Sequence, residues 1–188
     1  HRLPRAGPEH PAVAEILIIL GQNQQAVGEF AEADALFRRA VRIFEKRAPN
    51  GEAAGWALTN LANSLRDTGR PAEATPLYER ALAIRERVHG PAHPAVAWDL
   101  AHFAEALFLA GERTRAVALA LRAEEIGRNH LSLTARALPE RQALRYAAVR
   151  QTGLDLAISV AASGGDRSLA GQVWDALVRS RALVTDEM

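Results

Sequence analysis

"LTNLANSLRDTGRPAEATPLYERALAIRERV", residues 58–88, can be laid without a gap over "LIILGQNQQAVGEFAEADALFRRAVRIFEKR", residues 17–47. Leu61 falls on Leu20, Gly69 on Gly28, Ala74 on Ala33, Tyr78 on Phe37 and Ala81 on Ala40. A third stretch, "LAHFAEALFLAGERTRAVALALRAEEIGR" (100–128), continues the register. It sets Phe103 on Leu61, Ala104 on Ala62, Gly111 on Gly69, Ala116 on Ala74 and Ala123 on Ala81. Several spacings kept through three copies mark an internal repeat, and that decides how the rest of the chain is read.

Each copy predicts two helices. In the second, Trp56, Leu58, Leu61, Ala62 and Leu65 recur at helical spacing until Gly69 ends the run. Pro71 suits a first helical turn, and Ala74, Leu77, Tyr78, Ala81 and Leu82 form the next apolar stripe. Small alanines at 74 and 81 allow two helix backbones to approach closely. One hairpin of this size cannot bury its own stripe, so neighbouring copies must stack.

Between copies the chain writes "GPEHPAVA" at 7–14 and "GPAHPAVA" at 90–97, while the middle joint reads "APNGEAAG" at 48–55. The whole pattern resembles the tetratricopeptide repeat in its long form of about 42 residues, familiar from kinesin light chains. In that family a Gly-Pro-x-His-Pro stretch joins repeats, matched here by Gly90, Pro91, His93 and Pro94 and by Gly7, Pro8, His10 and Pro11. The signature positions are carried by Leu61 and Ala62, by Leu20-Gly21 and Phe103-Ala104, and by Ala74, Tyr78 and Ala81. The resemblance implies an all-α fold, a right-handed α-solenoid of antiparallel helix pairs, with about four pairs. Three repeats are expected over 8–48, 49–90 and 91–130. The third departs at its second helix, where Ala120 replaces the aromatic and Glu124 an apolar residue.

Residues 131–188 predict a non-consensus helical pair that caps the array or links it onward. Pro139 and Glu140 open a helix carrying Leu144, Ala147, Ala148, Leu154 and Ile158, which Gly164-Gly165 should end. Asp166 is a suitable N-cap for the next. Leu138 to Leu144, Gly153 to Ser159 and Leu177 to Met188 resemble the segment that joins such arrays to a CHAT domain, a caspase-like protease, in bacterial proteins. That resemblance implies a regulatory or sensor piece of a larger protein with the protease downstream.

Composition narrows the chemistry. The chain carries 23 cationic and 22 acidic side chains for a net charge of +1, and all the cations except Lys46 are arginine. A broad electrostatic pull on nucleic acid or anionic membrane is not indicated. There is no cysteine, which removes thiolate metal sites and cysteine nucleophiles from these residues. "ILIIL" at 16–20 is far too short to span a bilayer. No glycine-rich phosphate loop, His-Glu-x-x-His pair or nucleophile elbow occurs. No catalytic residue, metal or cofactor is therefore expected, and a cytoplasmic location is. His10 and His93 recur at equivalent joints, where an imidazole can hydrogen-bond at a helix start. His89 and His93 are four apart, but Gly90-Pro91 interrupts any shared helix between them.

The resemblance also implies a concave face, lined by the first helix of each repeat, that holds a peptide or partner protein. The matching outward positions are Glu15, Ile18, Ile19 and Gln22; Trp56, Thr59, Asn60, Asn63 and Arg66; and Trp98, His102, Glu105 and Phe108. Neighbouring asparagine amides can hold a peptide backbone, and tryptophan is a common anchor. The groove is accordingly assigned to Gln22, Trp56, Thr59, Asn60, Asn63, Arg66, Trp98, His102 and Glu105. The alternative for Trp56 and Trp98 is packing between repeats. A different function class, nucleic-acid binding through arginine-rich faces, is weakened by the interspersed Glu45, Glu79 and Glu86. The ends of the array are a further place where copies of the chain could associate.

Overall fold

Several helices here begin where a side chain or a proline prepares the first turn, and several end where a glycine reverses the backbone. His10 and His93 are extended residues whose Nδ1 atoms accept from the backbone N–H of Ala12 and Ala95, each at 3.2 Å. A proline follows each at the first helical position. The imidazole thus fills the N-cap role usually given to Ser or Asp, as expected for these two histidines. At the opposite ends, Gly28, Gly69 and Gly111 adopt φ of 87°, 75° and 84°, a left-handed conformation that L side chains resist.

The computed structural model describes residues 7–135 and 153–186. These residues form eight helices and no strand. The helices are α1 (Pro11–Ala26), α2 (Phe30–Arg47), α3 (Glu52–Asp67), α4 (Pro71–His89), α5 (Pro94–Leu109), α6 (Arg113–Ala135), α7 (Leu154–Gly164) and α8 (Arg167–Asp186). The chain divides into two compact units after Val88.

In the first unit α1 pairs with α2, and α3 packs on α2 and touches α1. The pairing of α1 and α2 is close because Gly21 lacks a side chain. A Cβ placed there would sit 2.5 Å from Phe37 Cε1. In the second copy Ala62 and Tyr78 take the same two places, both buried, and the Tyr78 hydroxyl donates to Asn63 Oδ1 at 2.6 Å. Phe37, Phe44, Leu58, Leu65 and Tyr78 are among the largest fully enclosed side chains, each contributing roughly 1.5–3 kcal/mol on burial. Ion pairs tie copy to copy outside this core, among them Arg80–Glu45 at 2.8 Å.

Two positions depart from the sequence expectation. Leu20 is 46% exposed although its counterpart Leu61 is 3% exposed. The face that α3 lays against α2 has no described helix before it on α1. Ile18, expected to point outward, is fully buried, because α1 turns it inward beside Ala14 and Leu17.

In the second unit α5 pairs with α6, and α7 and α8 pack on α6 and on each other. The missing aromatic of the third copy has a steric reason. Ala120 is fully buried, and Gly153 passes so close that any Cβ on it would collide with the Ala120 carbonyl. Glu124, the other departure, is buried and accepts from the Ser180 hydroxyl of α8 at 3.0 Å. Helix α6 runs on to Ala135. The expected helix start at Pro139, with Leu144, Ala147 and Ala148, lies outside the described residues. Gly165 ends α7 with φ of 66°, and Asp166 Oδ1 caps α8 by accepting from Ser168 N–H at 2.8 Å, both as expected.

Candidate functional site

The candidate binding positions all sit on first helices, one turn apart, so helical geometry alone places them in rows. In the first unit Gln22 is exposed, and Trp56, Asn63 and Arg66 are half-buried. Gln22 Nε2 donates to Asn60 Oδ1 at 2.9 Å, and Asn60 Nδ2 donates to the Trp56 carbonyl at 2.8 Å. Gln22, Trp56 and Asn60 are thereby brought together. Arg66 lies against Asp67 at 2.8 Å, which fixes its guanidinium.

Two of the expected groove residues are not available to a ligand. Thr59 is fully buried, and its hydroxyl donates to the Gly55 carbonyl at 3.1 Å. Asn60 is buried, with its amide oxygen and nitrogen both engaged inside the chain. A helix set between neighbours hides more than one face, so the register that predicts an outward position does not guarantee exposure. Asn63 is intermediate: its Oδ1 accepts from Tyr78, while the residue remains half-buried.

In the second unit Trp98, His102 and Glu105 form one short row on α5. Trp98 is 37% exposed, and its indole meets the His102 ring edge to face with centroids 4.1 Å apart. His102 Nδ1 lies 3.9 Å from Glu105 Oε2. The indole is therefore held in orientation on one side and open on the other. Glu15 is exposed on α1, whereas Phe108 is half-buried on α5.

Sequence reasoning missed two arrangements. The rings of His89 and His93 stack with centroids 4.7 Å apart, since the Gly90–Pro91 turn folds one back over the other. Their spacing of four was visible, but only the turn brings them together. A cleft of about 540 Å³ also opens between α6 and α8, lined by Arg122, Glu124, Glu125, Arg128, Gln172 and Arg179. It joins residues too far apart in sequence for any local pattern to signal.

Several surface charges are paired. Arg38 meets Asp34 at 2.9 Å, Arg70 meets Glu73 at 2.6 Å and Arg115 meets Glu112 at 2.6 Å. The hydrogen bond from Arg70 holds the Glu73 carboxyl below its ordinary range, and the one from Lys46 does the same for Glu9. Among the described residues no helix is long and apolar enough to cross a membrane.

Two family models, both described as "Tetratricopeptide repeat", match the chain at residues 53–129 and 14–39, together more than half of it. No curated protein matches. Among solved structures, the chain is similar to BtubC (BKLC) from P. vanneervenii, with a TM-score of 0.71 and 19% identity over 98% of this chain and 68% of that one. It is also similar to a putative kinesin light chain from Podosopora anserina with nearly identical TPR-like repeats. There the TM-score is 0.59 and the identity 20%, over 95% of this chain and 98% of that one. At such identities the likeness speaks for the fold: all-α, of the α-solenoid type.

Proposed function

The chain belongs to the tetratricopeptide repeat family, and from that premise we propose that it is a non-enzymatic protein-interaction module whose first-helix faces receive a peptide or partner protein. Repeats of this family serve generally as protein-interaction scaffolds. The observation that carries the finer reading is Trp98, a large aromatic left partly open and steadied edge-on by His102. An amphipathic ring immobilised before binding loses little entropy when a partner covers it. Trp56, Asn63, Arg66 and Gln22 supply the corresponding face in the first unit. Thr59 and Asn60 act there as internal supports.

The experiment is a peptide-display selection against the chain, followed by titration of the selected peptides. Trp98→Ala should weaken them at least about tenfold, as for an interface anchor, with helicity unchanged. Peptides indifferent to Trp98, Trp56 and Arg66 alike would remove these faces from the reading.

The arginine-rich alternative is less well supported, because Arg38, Arg70, Arg80 and Arg115 each face a carboxylate within 3 Å. Duplex or single-stranded RNA binding with a steep salt dependence would restore it. The wider assignment, a cytoplasmic regulatory array ahead of a CHAT protease, rests on the likeness of 138–144, 153–159 and 177–188, part of which lies outside the described residues. A longer chain carrying a caspase-like domain with its His and Cys would support it; one carrying an unrelated domain would end it.

A further inference from the structure

We propose that the cleft between α6 and α8 is a binding site for an acidic peptide segment, whose carboxylates are taken up by Arg122, Arg128 and Arg179. All three arginines line this cleft of about 540 Å³, the first two on α6 and the third on α8. Arginine is the side chain best shaped for a carboxylate, since its planar fork can donate two parallel hydrogen bonds.

The repeat shows what sets this cleft apart. Arg128 stands in register with Glu86 and Glu45 of the earlier copies, and Glu124 with Leu82 and Val41. In the first joint Glu45 of α2 meets Arg80 of α4 at 2.8 Å, an acid on one second helix facing a cation on the next. Between α6 and α8 the acid of that pair is replaced by Arg128, while α8 brings Arg179 to the opposite wall. Among the described residues neither of these two guanidiniums meets a carboxylate at ion-pair distance. The joint therefore lacks the negative charge that closes its counterpart, and a carboxylate on a ligand supplies it.

The walls are held in place without a ligand. Glu124, 3% exposed, accepts from the Ser180 hydroxyl at 3.0 Å and so fastens α8 to α6 beside the arginines. Arg122 Nη2 donates to the Pro91 carbonyl at 3.3 Å, which steadies a second lining residue. Three arginines against two carboxylates, Glu124 and Glu125, leave one positive charge in excess. That balance suits separate carboxylates and opposes the continuous phosphate run of a nucleic acid. Leu121 and Ala176 add apolar surface to the same walls, which the hydrocarbon parts of a peptide can cover. Both helices are the second of their pairs, so this inference does not rest on peptide binding to the first-helix faces, and either can fail without the other.

The test is an NMR titration of the nitrogen-labelled 188-residue chain with the peptide acetyl-Ala-Glu-Ala-Glu-Ala-amide. The Nε–H signals of Arg122, Arg128 and Arg179 should move and saturate. Arg128→Glu, which restores the acid of the earlier copies, should weaken the peptide at least about tenfold, the loss expected for a hydrogen bond to a charged group. Arg179→Gln, on an exposed position that cannot disturb the core, should weaken it in the same direction. Arg42→Glu, an exposed arginine of α2, should leave binding unchanged. No saturable movement at any of the three arginines overturns the proposal. So does equal binding of the same peptide with glutamine for glutamate, or an Arg42→Glu loss as large as that of Arg128→Glu, which would mean surface charge alone. Inorganic phosphate that moves the three signals at the same concentration as the peptide would make this a simple ion site and end the peptide assignment.

Discussion

Gln22 and Asn60 join two repeats by a single side-chain hydrogen bond of 2.9 Å, and the same Asn60 reaches back 2.8 Å to the Trp56 carbonyl one turn earlier. A residue with the look of a ligand clamp is thus a fastener between copies. Asparagine suits the place, since its amide oxygen accepts from Gln22 on one side while its amide nitrogen donates to the Trp56 carbonyl on the other.

Asn60→Ala should destabilise the chain by about 1–2 kcal/mol, because the Trp56 carbonyl loses its extra donor and a small void remains. Gln22→Ala should cost less, since its side chain is exposed and water can replace it. Urea unfolding of the two single variants and the double would show coupling. Strict additivity would mean that the bond contributes nothing.

His93→Ala should cost about 1 kcal/mol through loss of the N-cap of α5, and His93→Asn should retain most of it. Thermal melts of the wild type and the two variants would check this, and an alanine variant as stable as the wild type would count against the cap.

Gly21→Ala should destabilise by about 1–3 kcal/mol, since the new methyl meets Phe37 at 2.5 Å in a filled core. Phe37→Leu alone should also destabilise, yet combined with Gly21→Ala it should recover part of the loss. Gly153→Ala has no such remedy, because the obstruction is the Ala120 backbone carbonyl.

Arg70→Ala should return the Glu73 carboxyl to the ordinary carboxylate range, as followed by NMR titration, because the hydrogen bond from Arg70 is what lowers it. A depressed carboxyl contributes stability above its unfolded pKa, and loses it as pH falls through the folded value. Both groups are fully exposed, so the contribution is small and screened by salt.

The candidate site was only partly legible for a reason visible in these same residues. Trp98 and Glu105 lie outward as their register suggests, while Thr59 and Asn60, in the same row by sequence, are buried. Helical period gives the angle at which a side chain leaves the axis. Exposure depends on what stands at that angle, and that is set by other helices.

The order of residues was sufficient for the architecture. The recurring spacings, glycines that must take positive φ, prolines at first turns and histidines before them each act within a few bonds, so local chemistry settles where helices start and stop. Leu20 and Leu61 mark the limit of that logic. They hold one position in two copies of one pattern, yet one is 46% exposed and the other 3%. The difference is the neighbour, present for α3 and absent among the described residues for α1. Burial is a property of packed surfaces, and only the assembled helices determine which apolar face becomes core and which stays exposed.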